Sequence, residues 1–168
     1  MGRARPVNAA VKTVTPAGVK QIAANRKARR DFHVLEKVEA GIELRGTEVK
    51  SIRSGKVSLD EAYARVEEGQ TLLYGMHVQP YEFGNVHNHD PVRPRRLLLH
   101  RREIHRLFGQ AAVKGQTLIP LRLYLRKGRV KVELGLCRGK QRADKREDIK
   151  RRTAQREAER AIASRRRH

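Results

Sequence analysis

His87, Asn88, His89 and Asp90 stand together and carry the donor types that could do chemistry. Two imidazoles and a carboxylate are ligands of metal centres that activate water, so a metal-dependent nuclease is the enzyme this segment suggests. Two ligands on neighbouring loop residues need further donors from elsewhere, such as His77 or Glu82, and no spacing in the chain brings them together. Asn, His and Asp also build hydrogen-bonded loops without metal, and a structural or RNA-facing loop suits this stretch better. Gly41-Ile42-Glu43-Leu44-Arg45-Gly46 has the glycine spacing of a phosphate-binding loop. That motif needs Lys and then Ser or Thr after the second glycine. Thr47-Glu48 follows instead, and the segment reads as strand, so nucleotide binding is rejected. Cys137 lies in a predicted strand with no histidine placed beside it, and no nucleophile elbow occurs. The thiol reads as a small buried hydrophobe. Catalysis is unsupported, and no metal or other cofactor is expected.

Charge points to a partner. The 168 residues carry 39 Lys and Arg against 18 Asp and Glu, a net +21. Residues 1–30 hold +8, residues 31–137 hold +5 and residues 138–168 hold +8. Basic ends on a nearly balanced centre are the form of arms that follow phosphate backbones. No apolar run approaches the ~20 residues of a membrane span, and the start lacks the apolar stretch of a secretory signal. A single cysteine forms no internal disulfide and fits a reducing compartment, so a cytoplasmic location is expected. Such charge disfavours self-association without RNA, and one copy per RNA is expected.

The elements that must position these residues follow from periodicity. Residues 1–24 read as a basic disordered arm, 25–137 as the folded domain and 138–168 as a basic tail. Phe32, Val34 and Val38 alternate with His33, Lys37 and Glu39, as in a half-buried strand. Ala40-Gly41 breaks that run, Ile42 and Leu44 resume it, and Thr47 caps a short helix over 48–54. Residues 58–67 and 71–79 predict a hairpin about Glu68-Gly69-Gln70, with Leu72, Tyr74, Met76 and Val78 on one face. A loop follows from Pro80 to Arg96. Ile104, Leu107, Phe108 and Ala111 predict a helix over 100–114. In the last hairpin Ile119, Leu121, Leu123 and Leu125 face Val130, Val132, Leu134 and Leu136 across a Lys127-Gly128 turn. Its other face carries Arg122, Tyr124, Arg126, Lys131 and Glu133. The tail has good helix formers and i,i+4 pairs but few apolar residues, so it is expected to fray alone and become helical with a partner. The fold class is mainly β: a small antiparallel OB-like barrel of about six strands with two to three short helices.

Seven aromatics occur, with no tryptophan, and Tyr63, Tyr74 and Phe108 are expected in the core. Little is left for stacking on unpaired bases, which favours recognition of folded RNA by shape, 2′-hydroxyls and phosphates. A ribosomal protein held by ribosomal RNA would show the same charges and tails.

Three motifs carry a family resemblance. Residues Glu39 to Arg53 (EAGIELRGTEVKSIR) closely resemble the opening signature of SsrA-binding proteins. Residues Tyr81 to Pro91 (YEFGNVHNHDP), followed by Arg95 to His100 (RRLLLH), resemble their central motif. Gly139-Lys140 with Asp144-Lys145-Arg146 resembles the start of their tail, although Gln141 replaces the usual second lysine. The matches run in order from about Asn25 to Arg160. The resemblance implies an OB-like barrel that grips the tRNA-like domain of transfer-messenger RNA. It also implies an adaptor role in trans-translation on stalled ribosomes, the tail filling the small-subunit decoding centre and the empty message channel. Glu39, Leu98 and Lys131 fall where the family is understood to contact RNA. The full RNA-binding set expected is Asn25, Glu39, Glu48, Lys50, Arg53, Asn85, His89, Leu98, Arg122, Lys131 and Lys140. Asp144, Lys145, Arg146, Lys150 and Arg151 are expected to serve the tail's ribosomal role. A carboxylate at Glu39 repels phosphate, so it must either accept a hydrogen bond from a base or sugar or orient a nearby cation.

Overall fold

The computed structural model describes residues 18–84 and 89–165. Residues 1–17 of the expected arm and Val86 to Asn88 of the histidine loop therefore lie outside the described residues. Chain order is β1 (Val19–Ala24), α1 (Arg26–Asp31), β2 (Phe32–Ile42), α2 (Gly46–Arg53), β3 (Val57–Ser58), β4 (Tyr63–Glu67), β5 (Gln70–Tyr74), β6 (His77–Val78), β7 (Arg95–Leu98), α3 (Arg101–Ala111), β8 (Gln116–Arg126), β9 (Arg129–Gly139) and α4 (Arg142–Arg165). All pairings are antiparallel. Strands β8, β4, β5, β7, β2 and β9 follow one another, and β9 returns to β8, closing a six-stranded barrel. β1 adds to the outside of β8, and β3 pairs with β6 apart from the barrel.

Closure needs the long strands to bend, and two bulges supply the bend. One lies between Val34 and Glu36 in β2, the other between Pro120 and Arg122 in β8. Each swaps the strand's faces partway along its length. Val38, Ala40, Ile42, Leu118, Leu123, Val132 and Leu134 fill the barrel with Leu73, Leu97 and Leu107. Ile119 and Leu121 join Ala28 and Cys137 in a second cluster, against which Phe32 and Val34 pack. The expected single faces through Phe32, Val34 and Val38, and through Ile119 to Leu125, are thus each divided between two cores. Pro120 stands beside the bulge, a place where strands admit proline.

The break expected at Ala40-Gly41 does not occur. β2 runs on to Ile42, and Gly41 leaves room for the close crossing of β7: a Cβ there would lie 3.1 Å from Leu98 Cβ. β7 itself occupies the end of the expected loop. In β5 the core side is Thr71 and Leu73 rather than Leu72 and Tyr74. Tyr74 stacks instead on Tyr63 outside the barrel at 5.5 Å, and Phe108 is exposed on α3. These three rings were expected inside; the barrel is small enough for aliphatic side chains to fill it.

Each end carries an ordered element. The disordered arm set at 1–24 overlaps β1, whose backbone is ordered by β8. The tail, expected to become helical with a partner, is a 24-residue helix. Asp144 accepts from the Gln141 backbone N–H (3.2 Å) at its start, and ion pairs to the barrel hold its first turns. Asp31 lies over 100 residues before Lys145 and leaves no trace in the tail's own periodicity.

Candidate nucleic-acid interface

The barrel carries a cleft of about 880 Å³. Its walls come from β2 (Glu39, Gly41, Ile42), the start of α2 (Val49), the β4–β5 turn (Gly69, Gln70), β7 and the residues after it (Arg96 to His100), and the β8–β9 turn (Gly128 to Lys131). Two of these turns are set by sequence alone. Glu68-Gly69 and Lys127-Gly128 all have positive φ, the backbone of two-residue hairpin loops.

Glu39, Leu98 and Lys131, the three residues singled out by family resemblance, line this cleft. Leu98 is half exposed, propped against Gly41. Glu39 accepts from the Tyr124 hydroxyl at 2.5 Å and from Arg126 Nη1 at 2.9 Å, with Lys131 Nζ at 3.7 Å. The Tyr124 bond, and then Arg126 and Lys131, hold the carboxyl below its ordinary value against the opposing effect of burial. Burial, and then Glu39, push the Tyr124 hydroxyl far up. Of the two roles open to Glu39, this geometry fits the orienting of cations. Tyr124 and Arg126 were visible in the sequence as alternate residues on the cationic face, but nothing there tied them to Glu39.

Around the cleft, Lys50 Nζ sits 5.1 Å from the Tyr81 ring centroid, and Arg53 Nη2 donates to the Gly128 carbonyl at 3.1 Å. Arg122 is largely covered. It donates to Glu133 at 2.6 Å and lies over the Tyr124 ring. His89 lines a small recess with Thr47, Tyr81 and Arg95. Asn85 lies outside the described residues.

Three expected contacts turn inward. Asn25 is buried: Oδ1 accepts from the Ala28 N–H at 2.8 Å, capping α1, and Nδ2 donates to the Leu59 carbonyl at 2.8 Å. Glu48 is buried beneath two arginines. Arg93 reaches both its oxygens at 3.0 and 2.6 Å, Arg95 Nε reaches Oε1 at 2.9 Å, and the Arg45 N–H donates at 2.8 Å. Burial raises the Glu48 pKa, but these donors outweigh it and the carboxyl stays below its ordinary value. Arg95 has no exposed surface and also donates to the carbonyls of Met76, Pro91 and Arg93. The pair thereby moors the segment after the histidine loop to α2. Lys140 is the third: its ammonium is covered by Asp148 and the Arg29 carbonyl.

The donors considered for a metal are otherwise engaged or outside view. Glu82 pairs with Lys56, His77 lies in β6, and His87 is not among the described residues. Among the described residues, no three His, Cys, Asp or Glu side chains converge. Cys137 is buried, and burial pushes its thiol up to about 11. No helix among the described residues is long and apolar enough to cross a membrane.

The sequence profile described as SmpB protein matches residues 22–164. The chain belongs to the SmpB family. The SsrA-binding protein of Geobacillus thermodenitrificans is 56% identical over 146 residues, covering 87% of this chain and 94% of that protein. That of Carboxydothermus hydrogenoformans is 57% identical over 146 residues, covering 87% and 98%. A solved structure described as "tmRNA-SmpB: a journey to the center of the bacterial ribosome" superposes with a TM-score of 0.63 at 47% identity, covering 79% of this chain and 95% of that one. SmpB membership covers the barrel, the cleft and most of α4 alike.

Proposed function

We propose that this chain is the adaptor of trans-translation: it binds the tRNA-like domain of transfer-messenger RNA and delivers it to stalled ribosomes. The observation that carries this reading is the SmpB match over residues 22–164, with relatives above 55% identity named SsrA-binding proteins. The charge distribution supports it, because +21 on one small chain needs a polyanion. The cleft supports it as well. Lys131, Arg96 and Arg129 line it together with the half-exposed Leu98, which suits a folded RNA whose backbone and sugar edges are read together. In this reading Glu39 and Tyr124 orient cations for phosphate, and the basic tail enters the decoding centre and vacant message channel. Nothing in the role calls for a bond to be made or broken.

The test is a binding titration of the full chain against a tRNA-like transcript and an unstructured RNA of equal length, at several salt concentrations. Nanomolar-class binding with a clear preference for the folded RNA is expected. Each phosphate contact contributes a slope of about −0.7 to −0.9 in log K against log salt. Equal affinity for both RNAs overturns the proposal.

A further inference from the structure

Arg122 and Glu133 belong to the hairpin face that carries Tyr124, Arg126 and Lys131, yet neither lines the cleft. Their register places them beside it. On the outer face of three neighbouring strands, Glu39 of β2 stands opposite Glu133 of β9, and Glu133 stands opposite Arg122 of β8. Two carboxylates directly opposite each other repel. Separate cations offset the repulsion. Glu39 faces Arg126 and Lys131, whereas Glu133 accepts from Arg122 Nε at 2.6 Å and meets Lys37 Nζ at 3.3 Å. Arg122 and Glu133 keep only 15% and 10% of their side-chain surface exposed, so the pair is shielded from solvent. The Arg122 guanidinium so held lies over the Tyr124 ring, 5.2 Å from its centroid. Tyr124 in turn aims its hydroxyl at Glu39, the carboxylate that holds Arg126 and approaches Lys131.

We infer that Glu133 and Arg122 are positioning residues for RNA binding: Glu133 pins Arg122 against the Tyr124 ring, and the ring so held keeps the Glu39 carboxylate in place for Arg126 and Lys131 beside the cleft. This role rests on the proposed binding of the tRNA-like RNA, and in it Arg122 supports the contact surface without meeting phosphate. Glu133 is an anion close to a surface that must attract a polyanion, so by charge alone its removal raises affinity. When its acceptor oxygen is what holds Arg122, its removal lowers affinity instead. Glutamine, which loses the charge but keeps an acceptor, then spares it.

The test titrates the full chain against the tRNA-like transcript and follows the Tyr124 hydroxyl proton by NMR in the free protein. Glu133→Leu should bind about threefold more weakly, while Glu133→Gln stays within about twofold of the unsubstituted chain. In a Tyr124→Phe background Glu133→Leu should bring no further loss, because both substitutions cut the same link. Exchange of the Tyr124 hydroxyl proton with water should quicken at least about fivefold in Glu133→Leu and stay unchanged in Glu133→Gln. Arg122→Met should weaken binding about threefold with the salt slope unchanged, and it decides the matter should Glu133→Leu fail to fold. Affinity that rises or holds with Glu133→Leu overturns the inference, as does a loss that persists in the Tyr124→Phe background. A salt slope shallower by about 0.7 to 0.9 with Arg122→Met also overturns it, since one phosphate contact would then be lost at Arg122 itself. If the unsubstituted chain binds no tRNA-like RNA, the adaptor reading fails, while the hydroxyl exchange still decides whether Glu133 holds Tyr124.

Discussion

Tyr124 donates its hydroxyl to Glu39 across the width of β9, joining β8 to β2 beneath the rim of the cleft. The bond fixes a carboxylate that in turn holds Arg126 and approaches Lys131. A Tyr124→Phe chain loses one partly buried hydrogen bond to a charged group, worth about 1.5–2 kcal/mol. Chemical denaturation should show that loss, and RNA affinity should fall by about threefold as Arg126 loses its fixed partner. A variant with unchanged stability and unchanged affinity would mean that the bond has no such role.

Glu48 carries the largest expected stability effect. Its carboxylate is the counter-charge of Arg95, which has no exposed surface. In Glu48→Gln the guanidinium stays buried without that charge, a change that costs about 3–5 kcal/mol when one partner of a buried pair is removed. The pH dependence has a definite sign. The Glu48 pKa is lowered in the folded chain, so its stabilisation is present above the ordinary value of 4.5 and is lost as pH falls below it toward the folded value. Acid unfolding of the unsubstituted chain should therefore steepen below pH 4.5, and Glu48→Gln should flatten that limb.

Asn25 separates a cap from an RNA contact. Asn25→Ala removes the cap on α1 and the bond to the Leu59 carbonyl, costing about 1–2 kcal/mol. Under conditions where the variant remains folded, its affinity for the tRNA-like RNA should match that of the unsubstituted chain. A selective loss of affinity at full stability would return Asn25 to the RNA surface.

Residues 116–139 and α3 could be read from sequence because their signals are local: a two-residue turn with glycine, and an i, i+3, i+4 stripe. What escaped is non-local. The bulges at Leu35 and Leu121 exist because the sheet must close, and alternation alone places Ile119 and Leu123 on one face when they belong to two cores. β7 escaped because Arg95 looks like a surface residue until Glu48, 47 positions earlier, is known to receive it. Glu48, expected to contact RNA, is covered by arginines 45 and 47 positions later. Charge reads as exposure whenever the partner that neutralises it is distant in the chain. Glu39, Leu98 and Lys131 were found by likeness to a family, and their convergence on one cleft is a property of the closed barrel rather than of any sequence pattern.

Cys137 offers a probe of the second core. It has no exposed surface, packs with Ala28, Ile119 and Leu121, and has its thiol pushed up to about 11 by burial. At pH 8 an aromatic disulfide reagent should leave the folded chain unmodified and react with one thiol per chain once denaturant is added, because both access and the thiolate are missing in the fold. The neutral thiol is the form the fold favours. Its contribution is therefore complete below the ordinary value of 9.0 and is lost as pH rises from there to about 11, where the unfolded chain ionises first. Labelling of the folded chain at the reagent's own mixing rate would mean that the layer under α1 opens freely. Labelling whose rate follows global unfolding across a denaturant series is the expected result, and it would place this layer within the cooperative fold.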